Sequence, residues 1–151
     1  MAIWKKTFTL EDLKARHADT AEGHMGIEFN AIGDDWLAAR MPVDSRTVQP
    51  FRILHGGASV LLAESVGSCA ANLCVDQQRF YCVGLDINAN HVRGVDSGWV
   101  TATARPLHIG KSTHVWHIDI KTDAGALVCV SRLTMSVLRR PDPEQATVPP
   151  Q

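Results

Sequence analysis

The sequence predicts an α+β fold in which an antiparallel sheet wraps one long apolar helix. Three observations carry this. Residues 58–75 include Leu61, Leu62, Val66, Cys69 and Leu73, with no proline and few polar side chains. That length and Ala/Leu content favour a buried helix over a strand. Almost everything after it reads as strand, and no second apolar helix is present to cover the first. Only sheet can hide it.

The elements follow in order. Thr9-Leu10-Glu11-Asp12 has the Thr-x-x-acid form of a capping box and opens a short helix with Leu10 and Leu13 on its apolar edge. Residues 27–32 alternate, Gly33-Asp34-Asp35 is a turn signal, and residues 36–43 resume an extended pattern, which together predict a hairpin. After the long helix, Val83, Leu85 and Ile87 alternate with polar or small neighbours, and residues 99–104 run extended. Pro106 to Gly110 breaks the pattern before Trp116, Ile118 and Ile120 alternate again. Asp123-Ala124-Gly125 turns the chain into a final strand over 126–138. These strands are expected to form an antiparallel meander of about four. Residues 1–140 are expected to form one domain, with 141–151 a disordered tail rich in proline and polar residues.

Composition narrows the function. With 15 basic and 16 acidic side chains there is no basic excess, so a nucleic-acid partner is not expected. No apolar run approaches the roughly 20 residues of a membrane span, and no long apolar region follows Met1 as a secretory signal would require. The cysteines Cys69, Cys74, Cys82 and Cys129 form no CxxC pair and read as buried free thiols in a reducing, cytoplasmic setting.

The chemistry concentrates around the start of the long helix. Gly56 and Gly57 stand immediately before it, where the first turn leaves unpaired N–H groups carrying partial positive charge. Such a site can polarise a carbonyl and stabilise an oxyanion. Glu64 is the one charged side chain between His55 and Val75. A carboxylate among Leu61, Leu62, Ala63 and Val66 is costly unless it is paired or used, and an apolar setting raises its pKa toward general-base or nucleophile duty. Ser68, at i+4, shares its helix face. Gly56 and Glu64 are eight residues apart, about 12 Å of helix rise. A carboxylate that far along cannot readily attack a carbonyl held at its own helix N-terminus. Two antiparallel helices across a two-fold axis would solve this, so the chemistry predicts a homodimer with two shared sites.

Met41-Pro42-Val43-Asp44-Ser45-Arg46-Thr47, Gln49-Pro50-Phe51, Leu54-His55-Gly56-Gly57-Ala58-Ser59, Ala63-Glu64-Ser65 and Gly67-Ser68 together resemble the hotdog-fold acyl-CoA thioesterases. Leu85-Asp86-Ile87-Asn88-Ala89-Asn90-His91-Val92-Arg93 and Pro106-Leu107-His108-Ile109-Gly110 extend the likeness over about residues 3–138. The resemblance implies hydrolysis of an acyl-CoA, with an aromatic acyl group favoured and acyl-carrier-protein thioesters as possible substrates. Coenzyme A enters as part of the substrate, with no separate cofactor and no metal. Glu64 would be nucleophile or general base. The Gly56 N–H would polarise the carbonyl, with Gln49 and His55 lining that site and Ser68 and His91 positioning water or assisting departure of the thiol. Gly84, His91, Val92 and Arg93, with His108, Gly110, Lys111, Ser112 and Thr113, would hold coenzyme A. The resemblance also implies a homotetramer built from two dimers. One departure is Arg52, where the members this chain most resembles more often have Gly; the resemblance implies a changed loop charge near the acyl entrance.

Other readings compete. Gly110-Lys111-Ser112-Thr113 looks like the end of a phosphate-binding P-loop, but Arg105 stands where that motif needs glycine and a strand follows instead of a helix. His114 and His117, three apart in a strand, point to opposite faces and cannot share an ion. His91 alternatively reads as a core histidine. An acyl-CoA hydratase or dehydratase of the same fold and a non-catalytic acyl-CoA-binding module are the other function classes.

Overall fold

The computed structural model describes residues 1–141. Its elements are α1 (Leu10–His17), α2 (Ala21–His24), β1 (Glu28–Ile32), β2 (Leu37–Pro42), α3 (Gly56–Leu73), β3 (Phe80–His91), β4 (Trp99–Ile109), β5 (Thr113–Thr122) and β6 (Leu127–Arg139). The capping box at α1 forms as its sequence predicts: the Thr9 hydroxyl accepts from the Asp12 N–H at 3.1 Å, and the Asp12 carboxylate accepts from the Thr9 N–H at 2.9 Å. α2 is a single turn with no apolar stripe, and the sequence pattern does not reveal it.

The six strands form one antiparallel sheet in the order β1-β2-β4-β5-β6-β3. The expected four-strand meander is therefore corrected. Of the four strands after α3, only β4, β5 and β6 follow one another as neighbours, while β3 pairs with β6 at the far edge and β4 fills the place beside β2. Alternation along a strand reports which face is buried, not which strand lies beside it. The break expected at Pro106 is also corrected. β4 runs through it, with the register shifting between Pro106 and His108. A bulge is where a strand tolerates a residue without an N–H.

The helix α3 lies on the inner face of this sheet. Its buried face (Ala58, Leu62, Ala63, Val66, Ala70 and Ala71) meets Leu37, Ala39 and Met41 of β2 and the inward residues of β4, β5 and β6. The alanines keep the helix close. At Gly67 closeness is obligatory, since a Cβ there would come within 2.6 Å of Leu133 Cδ2. The tail expectation over 142–151 falls outside the described residues.

A histidine sits inside this core. His114 faces inward on β5 with Trp116, Ile118 and Ile120, and is 1% exposed. Its Nδ1 and the Trp116 Nε1 are buried without a hydrogen-bond partner among the described residues. Burial pushes the His114 pKa below its ordinary value, against an opposing pull from the Gly110 backbone and with help from nearby His108. The folded state thus keeps the imidazole neutral where the unfolded chain would protonate it. Its contribution to stability is complete above the unfolded pKa of about 6.5 and declines as pH falls from there toward the lowered folded value, by at most about 1.4 kcal/mol per pH unit. Comparing the wild type with His114→Phe by chemical denaturation from pH 7.5 to 4.5 should show this as a shallower loss of stability in the variant. Parallel pH profiles would refute it.

Candidate active site

The start of α3 is assembled by the loop before it. The Thr47 hydroxyl donates to the Pro42 carbonyl at 2.7 Å, and the Thr47 carbonyl accepts from the His55 N–H at 2.8 Å. His55 is the N-cap, with extended backbone angles, and its Nδ1 accepts from the Gly57 N–H at 2.8 Å. In neutral His55 the proton therefore resides on Nε2. The His55 carbonyl takes the N–H groups of Ala58 and Ser59. The N–H of Gly56, first residue of the helix, finds no acceptor among the described residues. It is a free donor at the positive end of an 18-residue helix.

Other donors face the same cleft, a space of about 370 Å³ lined by Gln49, Gly56, His91, Val92 and Arg93 among others. The Gln49 Oε1 accepts from the Phe51 N–H at 2.5 Å, which orients the amide and leaves its NH₂ as donor. His91 ends β3 and lays its ring over the helix start. A Cβ at position 56 would come within 2.8 Å of His91 Nε2, so the close approach requires glycine. His91 is exposed rather than a core histidine.

Glu64 faces a different cleft, of about 390 Å³, with Val60, Leu61, Ser65 and Ser68 on α3 and Ala21 and Glu22 on α2. Ser68 thus shares the Glu64 face as its spacing predicts; its Oγ lies 3.6 Å from Met135 Sδ. The Glu64 carboxylate packs against β3 at Gly84, where a Cβ would be only 2.5 Å from Oε1. Ala21 and Glu22 were invisible to sequence reasoning because α2 shows no periodic pattern.

The residues predicted to hold coenzyme A do not all come together in one chain. Val92 and Arg93 join Gly56 and His91. His108, Gly110, Lys111, Ser112 and Thr113 form the β4–β5 hairpin, closed by the Gly110 N–H to the Thr113 carbonyl at 2.9 Å. That hairpin borders a cavity with Cys74, Arg79 and Phe80, near the C-terminal end of α3. Gly84 lies between the two groups, on β3.

The thiols are poor nucleophiles: burial pushes Cys69 and Cys74 up to about 12 and Cys82 to about 11. Among the described residues no three His, Cys, Asp or Glu side chains converge as metal ligands. His114 and His117 point to opposite faces, and His117 pairs with Asp119 at 3.0 Å. No helix among the described residues is long and apolar enough to cross a membrane. What remains is a donor-rich cleft and a carboxylate cleft on one helix, which is the equipment for attack on a carbonyl.

Residues 51–129 match the thioesterase superfamily. A solved thioesterase of Haemophilus influenzae (EC 3.1.2.-) superposes with a TM-score of 0.89 at 55% identity, covering 91% of this chain and 95% of that one. The 1,4-dihydroxy-2-naphthoyl-CoA hydrolase of Escherichia coli is 52% identical over 90% of this chain and 99% of its own length. The proofreading thioesterase EntH of Cronobacter turicensis is 46% identical over 90% of this chain and 98% of its own.

The loop that carries Gln49 holds one strained residue. Arg52 has φ of 65°, the left-handed region that suits glycine, and its N–H donates to the Gln49 carbonyl at 2.8 Å. Arg52→Gly is expected to relieve this and stabilise the fold by about 0.5–1 kcal/mol, part of the gain being offset by the greater freedom of glycine in the unfolded chain. Thermal unfolding should show a midpoint raised by about 2–4 °C; a lowered midpoint would contradict the strain.

Proposed function

The chain belongs to the thioesterase superfamily and is a thioester hydrolase, and from that premise we propose that it cleaves an aromatic acyl-CoA to the free acid and coenzyme A. The observation that carries the reading is the division of one helix between two clefts. Gly56 offers a free N–H where Arg93 and Gln49 supply further donors, and Glu64 offers a carboxylate in a cleft walled in part by Val60 and Leu61. A thioester has two unlike arms to match. The polyanionic coenzyme A suits the cationic cleft, and the acyl group suits the cleft of Val60 and Leu61. The aromatic preference draws on the similarity to the dihydroxynaphthoyl-CoA hydrolase. Acyl-carrier-protein thioesters present the same phosphopantetheine arm and enter as a second substrate class.

The two clefts belong to one reaction if two chains share them. β3 is one of the two edges of the sheet, the other being β1, and among the described residues it has no partner on its outer side, with Val83 38% and Leu85 64% exposed. An open apolar edge is a template for pairing with a second copy. Antiparallel pairing of two β3 strands would set the α3 helices side by side in opposite directions, bringing Gly56 and His91 of one subunit toward Glu64 and Gly84 of its partner. The same operation carries the β4–β5 hairpin of the partner toward Arg93, which would reunite the coenzyme A residues. Two such dimers make the expected homotetramer.

In the proposed reaction the Gly56 N–H, aided by Gln49 and His55, hydrogen-bonds the thioester oxygen as negative charge develops on it. Glu64 either takes a proton from the attacking water or itself attacks the carbonyl carbon, forming an anhydride that water then opens. The carbon–sulfur bond breaks, the thiolate of coenzyme A leaves and takes a proton, and the acid remains. Ser68 and His91 position water or assist the departing thiol, and no cofactor takes part.

Two experiments follow. Gly56→Pro deletes the N–H donor at a helix position whose backbone tolerates proline, after a His55 already extended as a pre-proline residue prefers, and its Cβ also crowds His91 Nε2, so it disables the donor side of the site as a whole. Alone, Gly56→Pro and Glu64→Ala are each expected to lower kcat by about 10²–10³. Mixed and reassociated, they should recover about a quarter of wild-type activity, because half the dimers are hybrids and each hybrid holds one intact site. No recovery on mixing would remove the shared site, and near-normal activity in Glu64→Ala would remove Glu64 from catalysis. Separately, Gly84→Ala should push the Glu64 carboxylate aside and lower kcat about 10²-fold with thermal stability largely kept; unchanged kcat would show that the Gly84 contact does not place the carboxylate.

A further inference from the structure

The cleft that holds Glu64 has a second carboxylate in its wall, and the reaction above does not use it. Glu22, from α2, faces Val60, Leu61, Ser65 and Ser68 across this space. Its side chain is held in place rather than free: it is 21% exposed, and its Oε1 lies 3.5 Å from His17 Nδ1. The His17 ring in turn packs on Phe29 with centroids 5.0 Å apart, and the His17 carbonyl accepts from the Thr20 hydroxyl at 2.7 Å. The Glu22 carbonyl is tied to the Ile27 N–H at 2.9 Å. Burial opposes ionisation of Glu22, but the Thr20 hydroxyl, its own backbone N–H, His17 and the Ser65 hydroxyl outweigh it and keep the carboxyl below its ordinary pKa.

An ionised carboxylate has about four acceptor positions. Among the described residues no hydrogen bond of ordinary geometry reaches the Glu22 carboxylate, the Thr20 hydroxyl proton goes to the His17 carbonyl, and the His17 contact at 3.5 Å is at the outer limit of a hydrogen bond, so acceptor capacity remains. The α3 floor from Gly57 to Ser68 spans about 16 Å of helix rise, room enough for a one- or two-ring acyl group lying along it. The coenzyme A arm does not belong here, since its phosphates would be repelled by two carboxylates.

We propose that Glu22 is a specificity-determining residue for the acyl group: its carboxylate accepts a hydrogen bond from a hydroxyl on the acyl ring and rejects acyl groups that carry an anion in that place. This deepens the function proposed above and rests on its placement of the acyl group beside Glu64. A phenolic O–H donating to a carboxylate forms a short, charge-assisted bond. A second carboxylate in that place meets like charge at close range.

The test measures kcat/KM by free-thiol release for benzoyl-CoA, its three monohydroxy isomers, and 3- and 4-carboxybenzoyl-CoA. Wild type is expected to favour the best hydroxy isomer over benzoyl by about tenfold or more, and to disfavour both carboxy compounds by a similar factor. In Glu22→Gln and Glu22→Ala, both ratios should move toward one. A merely structural role for Glu22 would lower all substrates together and leave the ratios as in wild type, which would overturn the proposal. So would a wild type indifferent to the hydroxyl and carboxyl groups, which needs no variant to fold. Absence of thiol release from every substrate with wild type would instead overturn the acyl-CoA reading itself, and the proposal with it.

Discussion

The whole arrangement depends on how α3 is seated on the sheet. One helix supplies the apolar face that closes the core, the free N–H at its first residue and the carboxylate in its middle. The buried alanines and Gly67 bring it so near β6 that its rotation about its own axis is set by contact. Fixing that rotation also fixes which side chains stay outside the core. Glu64 and Ser68 face one cleft, and the Gly56 N–H opens into another. A turned helix would bury the carboxylate or lose the close approach at Gly67.

The strands add what the helix lacks. β3 ends in His91, over the helix start, and carries Gly84 beneath the Glu64 carboxylate. Both contacts are within van der Waals limits only because glycine stands at 56 and at 84. The two glycines thus do different work from one in a turn: each clears space for a functional side chain from another element. The same strand leaves its outer edge unpaired, with Leu85 exposed. The separation of donors from carboxylate and the open edge of β3 are met together by a second copy, which is why they enter the proposed function as one feature.

The residues differ in how plainly they announced themselves. Glu64 stood out because a lone charge in an apolar helix needs a reason, and Gly56 because glycine before a helix leaves its N–H accessible. His55 was legible by position, but its Nδ1 acceptance from Gly57 became visible only in the folded loop. Arg52 read as a change of charge, whereas the backbone shows it as a change of conformational strain. Glu22 could not be found in advance. It sits in a four-residue helix with no periodic pattern, and its place beside Ser65 arises from packing between distant segments.

By itself the sequence determined the fold class, the extent of the central helix to within two residues, the hairpin at Gly33 and the helix face shared by Glu64 and Ser68. Those are local properties: periodicity and turn chemistry act over a few residues and survive without knowledge of the rest. Tertiary structure alone decided that β3 lies against β6 and not β4, that Pro106 stands beside a bulge inside a strand, and that Gly84 meets Glu64. It also decided that α2 brings a second carboxylate into the cleft. Each of these is a meeting of segments far apart along the chain, chosen by how the sheet closes over one helix, and alternation of apolar and polar residues carries no record of which neighbour a strand will find.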